Sequence, residues 1–312
     1  MFARQSAGSG LDSLLRRPRP SLWQKFRRDP VVFLARSIYK WRHVVPAQPL
    51  TNAVSVVCVS DTHNTYPDIP SGDILIHAGD LTQSGSFTEL QAALDWLKSQ
   101  PHPHKLVIAG NHDLLLDPSL DATAAGRGAA AAAQREQLDW GDIKYLQDST
   151  TELTCPNGRR LRVYGSPNSS RHGNWAFQYP RSESDKTWRG AIPDDVDILI
   201  THGPPRAHLD VLRLGCPALL EELWRVRPRL HVFGHVHEGY GSEWLSFDTL
   251  QEAYERTVIA GGGLWNGMHV VAEFVRATLL RSPTEPKSLL VNPCMVGGLR
   301  DDEREKPIVV RI

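Results

Sequence analysis

From residue 53 onward, short apolar runs rich in β-branched residues alternate with amphipathic stretches. Val54-Ser55-Val56-Val57-Cys58-Val59 has the composition of a buried strand, as do Ile74 to His77, Lys105 to Ala109, Arg160 to Tyr164, Val196 to Thr201 and Leu230 to Phe233. Ser86-Phe87-Thr88-Glu89 is a capping box that opens a helix running through Leu97, and Gly215 to Arg227 reads as another helix. Val258-Ile259 and His269 to Val275 read as further strands, with Gly261-Gly262-Gly263 as a turn between them or as a place where backbone approaches the site. Residues 122–133 hold eight alanines, and a helix could run on through Trp140; Gly126-Arg127-Gly128 marks this stretch as an insertion. Strands alternating with helices predict an α/β body.

The first 50 residues follow a different pattern. Gly8 to Pro20 mixes Gly, Ser, Arg and Pro as linkers do. Asp29-Pro30 then starts a helix, with Val31, Leu34, Ile38 and Trp41 along its apolar face and Arg36, Lys40 and Arg42 around the other side. Three readings stay open for it: a helix docked on the main domain, a basic amphipathic helix on an anionic membrane, or an organellar targeting peptide. The expected division is a basic leader over 1–50 and one domain over 51–312.

Charge supports that division. The whole chain of 312 residues is neutral, with 35 Lys+Arg and 35 Asp+Glu, yet residues 1–50 hold ten basic residues against Asp12 and Asp29. The leader is therefore +8 and the body −8. An acidic body without a basic patch argues against a nucleic-acid polymer as partner. The composition, 41% hydrophobic and 22% charged, excludes a wholly disordered chain. No run approaches the ~20 apolar residues that span a bilayer, and no secretory signal is visible, so a cytoplasmic protein is the expectation, with peripheral membrane contact through the N-terminal helix as one of the three open readings. The four cysteines, 58, 155, 216 and 294, form no Cys-x-x-Cys pair and suggest neither a zinc ribbon nor a nucleophile.

The chemistry sits just past the strands. Asp61-Thr62-His63 follows the first, Gly79-Asp80 the second and Gly110-Asn111-His112-Asp113 the third; His202-Gly203 and Gly234-His235-Val236-His237 follow the later two. In open α/β sheets, sites form outside the carboxyl ends of strands. Asp61 and His63 are two apart, as are His235 and His237, so in extended chain each pair faces one side. Glycines 79, 110 and 234 permit tight turns and close approach. One such signal could be an ordinary turn, but five in order point to a site. Oxygen and nitrogen donors without thiolate suit Mn, Fe or Zn, and seven donors suit two ions sharing a carboxylate. Two divalent ions beside two aspartates leave positive charge for a phosphate.

The ordered set Asp-x-His, Gly-Asp, Gly-Asn-His-Asp, His-Gly and Gly-His-x-His, between residues 53 and about 275, resembles the calcineurin-like metallophosphoesterase superfamily. Thr201-His202-Gly203-Pro204-Pro205, Gly234 to Gly241 and Leu290-Val291-Asn292-Pro293 resemble, within it, the group related to class III cyclic nucleotide phosphodiesterases. The resemblance implies a four-layer αββα sandwich with two mixed β-sheets. It implies that Asp61, His63 and His237 hold one metal, that Asn111, His202 and His235 hold a second, and that Asp80 bridges them. It implies His112 as general acid, with Asp113 orienting it, and a metal-bridging hydroxide as nucleophile. The implied activity is hydrolysis of a small phosphodiester, a cyclic nucleotide among the candidates. A phosphomonoesterase or protein phosphatase is the alternative, and a non-catalytic metal-binding scaffold a remoter one. His77 reads as a packed histidine, and the loop from Ser166 to Phe177 as either plain surface or a substrate wall with Asn168, Trp175 or Phe177 on the ligand.

Overall fold

The computed structural model describes residues 21–42, 44, 52–123, 128–211, 213–279, 286–297 and 303–312. The expected linker between Gly8 and Pro20, and residues 124–127 of the alanine-rich stretch, lie outside that set.

Eleven strands form two mixed sheets. The first has the order β11 (Ile308–Arg311), β1 (Ser55–Val59), β2 (Ile74–Ala78), β3 (His104–Ile108), β4 (Ile143–Tyr145). Within it β1 to β4 run parallel and β11 is antiparallel to β1. The second has the order β9 (Gly241–Ser246), β10 (Lys287–Asn292), β8 (Leu230–Val232), β7 (Ile198–Thr201), β6 (Arg160–Ser166), β5 (Ser149–Thr154). Its four central strands are parallel and its two edge strands antiparallel.

The strand periodicity of two explains the layering. Val56 and Cys58 point into the space between the sheets with Ile74, Ile76, Val163, Ile198 and Val232. Val57 and Val59 point the other way, onto Leu90, Leu94 and Leu97 of the helix Phe87–Lys98. On the far side of the second sheet, Leu199, Phe233 and Leu290 meet Leu219 and Leu223 of the helix Pro217–Val226. Three buried interfaces make four layers: helix, sheet, sheet, helix. Because the central strands of each sheet are parallel, their carboxyl ends gather at one rim, where the candidate ligands lie.

The capping box at Ser86 and Glu89 forms as expected, but three sequence readings need correction. The stretches taken as strands at Val258-Ile259 and His269 to Val275 are helical, within Thr249–Ile259 and Leu264–Leu279. Asp248 caps the first by accepting from the Gln251 amide at 2.9 Å. In the second, Val270, Val271, Phe274 and Val275 recur at helical spacing, and packing of Val270 outweighs β-propensity. Gly261 to Gly263, all with positive φ, turn between these helices instead of between strands. The alanine-rich helix covers Gly128–Glu136 and stops short of Trp140.

The helices of the N-terminal segment and its platform are labelled α1 (Leu22–Arg28), α2 (Pro30–Trp41), α7 (Thr249–Ile259) and α8 (Leu264–Leu279), with α3 (Phe87–Lys98), α4 (Gly128–Glu136), α5 (Ser184–Trp188) and α6 (Pro217–Val226) between them. The helix start at Asp29-Pro30 is as expected, with Asp29 accepting from the Val32 amide at 3.1 Å. Its buried face is shifted by one position: Val32, Ala35 and Tyr39 pack on α7 and α8, while Leu34 and Trp41 are exposed. The small side chain of Ala35 lets the helix settle closely there. Among the described residues no helix is long and apolar enough to cross a membrane.

Candidate metal centre

The rim brings the residues at the five strand ends together. Asp61, His63 and His237 offer ligand atoms within 4.8 Å of one another, as do Asp80, His202 and His235, and His63, Asp80 and His112. Asn111 joins the second group, its Oδ1 3.0 Å from His202 Nε2. Asp80 falls in two groups, its Oδ2 3.8 Å from His63 Nε2 and 3.4 Å from His202 Nε2.

The chain reaches this geometry through strained backbone and missing Cβ atoms. Asp61, His63, Asp80 and His235 all have positive φ, between 43° and 68°, which is uncommon for residues other than glycine and concentrates at functional sites. A Cβ on Gly110 would stand 2.2 Å from Asp80 Oδ1, and one on Gly234 would stand 2.2 Å from Asp61 Oδ2. Both glycines are therefore needed for the carboxylates to sit where they do.

Hydrogen bonding fixes which nitrogen two of the histidines present. His63 Nδ1 lies 3.1 Å from the Thr82 carbonyl and His202 Nδ1 lies 2.9 Å from the Ala78 carbonyl. A carbonyl oxygen only accepts, so both Nδ1 atoms carry hydrogen and both Nε2 atoms face the carboxylates. A backbone carbonyl holding the far nitrogen is the usual support for a metal-binding histidine. His63 Nε2 is buried without a hydrogen-bond partner. Asp61 is held by Ser60 Oγ at 2.5 Å, by Cys294 Sγ at 3.0 Å and by the His235 amide at 3.1 Å. Asn292 donates to the Val236 carbonyl at 2.9 Å, bracing the turn between His235 and His237.

Electrostatics favour a cation here. Burial works to raise Asp61, yet the hydrogen bond from His237 and the charges of His202 and His63 hold it well below the usual carboxylate range. Asp80 is likewise lowered, by His202 against its own burial. His202 is raised to about 9: burial opposes the shift, and the Asp80 and Asp61 charges override it. His235 is lowered to about 3, chiefly by burial. Two buried ionised carboxylates are costly without positive charge beside them. The unpartnered Nε2, the fixed tautomers and the mixed oxygen and nitrogen donors all fit divalent transition ions.

His112 lines the same cleft. Its Nδ1 donates to the Gln83 carbonyl at 2.8 Å, leaving Nε2 free of that bond. Its backbone amide donates to Asp80 Oδ1 at 2.7 Å. Asp113, expected to orient His112, is bonded to the loops around that residue. Its carboxylate accepts from the Leu81, Thr82 and Gly110 amides and from Thr82 Oγ1, at 2.8–3.2 Å. Burial, then the Asp80 charge, push Asp113 up to about 6 against those donors. It shapes the loops that carry Asp80, Gln83 and His112, and reaches the imidazole through backbone.

Two further side chains border the cleft. Trp175 stacks on His112 with ring centroids 4.3 Å apart. His172 meets the His235 ring at 4.7 Å and was missed in the sequence, although it stands in the polar loop read as a wall. Asn168 donates to Asp148 at 3.0 Å, and Phe177 is buried in the core beneath. His77 lies outside the ligand groups, its Nε2 3.0 Å from Thr62 Oγ1. All four cysteines are buried and free.

Several proteins of known sequence are similar to this chain. The chain is 43% identical over 307 residues to a protein of Emericella nidulans named "Probable rhamnogalacturonate lyase C", a match that covers 97% of this chain and 29% of that protein. It is 42% identical over 203 residues to metallophosphoesterase domain-containing protein 1 of Homo sapiens, covering 59% of this chain and 61% of that one. It is 36% identical over 202 residues to a UPF0046 protein of Caenorhabditis elegans, covering 61% and 66%. The chain thus spans less than two thirds of each of these relatives. Calcineurin-like phosphoesterases as a family match residues 54–239, a stretch that runs from the first strand past the last predicted ligand, His237, and by that match this chain belongs to the calcineurin-like phosphoesterase family.

Proposed function

We propose that this protein is a dinuclear-metal-dependent phosphodiesterase acting on a small substrate, a cyclic nucleotide among the candidates. One observation carries the reading: donors from five strand ends converge around two buried aspartates, with one histidine nitrogen left unpartnered among them. Asp61, His63 and His237 would hold one ion, Asn111, His202 and His235 the other, with Asp80 shared. Bound divalent ions would supply an activated water at neutral pH and compensation for charge on the phosphoryl oxygens.

The remaining chemistry belongs to side chains. His112, held by the Gln83 carbonyl through Nδ1, presents Nε2 toward the cleft, where it can give a proton to a leaving alkoxide. An alkyl leaving group, on a diester or a monoester, needs that proton. Trp175 backs the imidazole on one face, limits its rotation and offers an aromatic wall to a substrate base. Asp113 keeps the loops in register.

The test is metal content together with a substrate panel. Full-length protein loaded with Mn, Fe or Zn is expected to retain two ions per chain and to hydrolyse bis-aryl phosphate and cyclic AMP faster than mono-aryl phosphate. Faster monoester turnover would make it a phosphomonoesterase. Fewer than two ions and no hydrolysis would leave a metal-binding scaffold.

A further inference from the structure

The helical corner built on α1, α2 and α8 leaves an apolar surface uncovered beside a concentration of positive charge. On α8, Leu264, Met268, Val271, Val275 and Leu279 recur at intervals of four, three, four and four, so they form one stripe, and all are exposed. The only charges on this 16-residue helix are Glu273 and Arg276, which pair with each other at 3.5 Å. Trp265 beside the stripe is 81% exposed. A helix this apolar in a globular protein normally has a covered face, and a contiguous exposed stripe marks an interaction site.

A second exposed apolar patch lies on α1. Phe26 meets Phe33 edge to face at 5.8 Å, which seats α1 on the first turn of α2. That turn rests on the start of α8: a Cβ on Gly262 would be 3.2 Å from Asp29 Oδ1, and one on Gly267 would be 3.0 Å from Val31. Leu22 and Trp23 are exposed on α1, 72% and 65%. Residues 21–42 carry six basic residues and one acid, Asp29. Asp29 is already engaged by the Val32 amide and by Arg213 at 3.3 Å, whereas Lys25, Arg27, Arg28 and Lys40 are exposed.

We propose that this corner docks on the surface of an anionic phospholipid membrane. The α8 stripe, with Trp23 and Trp265, would enter the headgroup boundary, and Lys25, Arg27 and Arg28 would lie against lipid phosphates. Apolar and aromatic surface flanked by basic residues is the pattern of interfacial helices. At 16 residues α8 is about 24 Å long, so it lies along the surface instead of crossing. Charge complementarity favours lipid over a second copy, since a two-fold interface here would bring the same basic cluster against itself. The helix face first expected to meet lipid is partly spent on α7 and α8, so the membrane-facing side is α1 and α8 instead.

The test is co-sedimentation of the full-length protein with vesicles of phosphatidylcholine alone or with added phosphatidylserine. Binding is expected only with phosphatidylserine and is expected to fall at high salt. Trp265→Asp should abolish it without changing thermal stability or diester hydrolysis in solution, and Leu279→Asp gives the same reading at the other end of the stripe. The pair Lys25→Glu and Arg28→Glu should weaken binding at least ~25-fold, at about five-fold per basic residue. Failure to sediment with phosphatidylserine vesicles at low salt, or sedimentation undiminished by these substitutions, overturns the proposal. So does a lipid-free dimer dispersed by Trp265→Asp, which would assign the face to a second copy.

Discussion

Among the described residues, two buried clusters of histidine and carboxylate are built on opposite principles. Behind α2, His208 lies between Glu243, 3.0 Å from Nδ1, and Glu255, 2.9 Å from Nε2. Gln251 and Trp224 also donate to Glu255, at 2.7 and 2.6 Å, and Tyr39 ties α2 in by donating to Gln251 at 2.9 Å. Both ring nitrogens of His208 have partners, and they point to different carboxylates. At the strand-end rim, His63 Nε2 is buried without a hydrogen-bond partner and four of the seven candidate ligands have positive φ. An unmade buried hydrogen bond costs ~1–3 kcal/mol, and each strained residue a similar amount. A completed cluster of this kind is cement. One left open, at a cost in stability, is poised for something the chain does not itself supply.

The largest break in that contrast should come from Asp80→Asn. Removing the carboxylate shared by two ligand groups is expected to lower metal content and to cut diester hydrolysis ~10⁴-fold, a loss of about 5.4 kcal/mol in transition-state stabilisation. Thermal stability of the metal-free protein should fall only modestly, because Asp80 is paired with His202 but an asparagine oxygen can still accept from the His112 amide. Metal analysis, turnover and a melting curve on one preparation check this. A large fall in metal-free stability would mean that the rim is cement as well.

His208→Gln tests the other cluster. It leaves Glu243 and Glu255 buried without their cation and should cost about 3–5 kcal/mol of folding stability in urea titration. Hydrolysis per folded molecule and metal content should be unchanged. Lost activity with intact folding would show the clusters to be coupled, and the comparison would fail.

His112→Ala sharpens the division of labour within the rim. The expected loss is ~10²-fold on alkyl-leaving diesters, about 2.7 kcal/mol, and clearly less on activated aryl phosphates, whose leaving groups need no proton. Equal losses on both substrates would remove the general-acid role and leave His112 as a further ligand beside His63 and Asp80, a grouping the geometry also contains.

The rim was legible because its chemistry is local. Asp61-Thr62-His63 or Gly234 to His237 fits a strand end wherever the strand lies, and parallel strands gather their ends without further instruction. What escaped depends on contacts far apart in sequence. Cys294 reaches Asp61 only because Ser60 bridges to Cys294 at the end of β10, and Asp113 spends its carboxylate on residues 81, 82 and 110. His208, Glu243 and Glu255 lie on a loop, a strand and a helix, so no spacing rule joins them. The valines of α8 read as strand because β-propensity reports packing partners that the sequence does not name. The one-residue shift on α2 has the same origin: Leu34 is the more hydrophobic residue, but Ala35 fits the surface.

The smallest predicted effect, taken per pH unit, comes from pH and separates the clusters without removing any ligand. His208 is raised from its ordinary 6.5 to about 10; burial opposes the shift and the Glu243 and Glu255 charges outweigh it. Its folded-state value exceeds the unfolded one, so its contribution is complete below 6.5 and is lost as pH rises through about 10. Within that window the native state holds a proton that the unfolded chain has released, and stability should fall by about 1.4 kcal/mol per pH unit from this group alone. Glu243 is lowered, with His208 overriding its burial, so its contribution stands above the ordinary 4.5 and is lost only as pH falls further through its folded value. Urea titrations of the native protein and of His208→Gln across the alkaline window isolate the slope, since groups common to both, His202 among them, cancel in the difference. The native protein should show the steeper decline. Parallel slopes would mean that His208 is neutral when folded, which would make Glu243 and Glu255 a buried carboxylate pair without a cation and bring the helical cluster closer in kind to the metal-seeking rim.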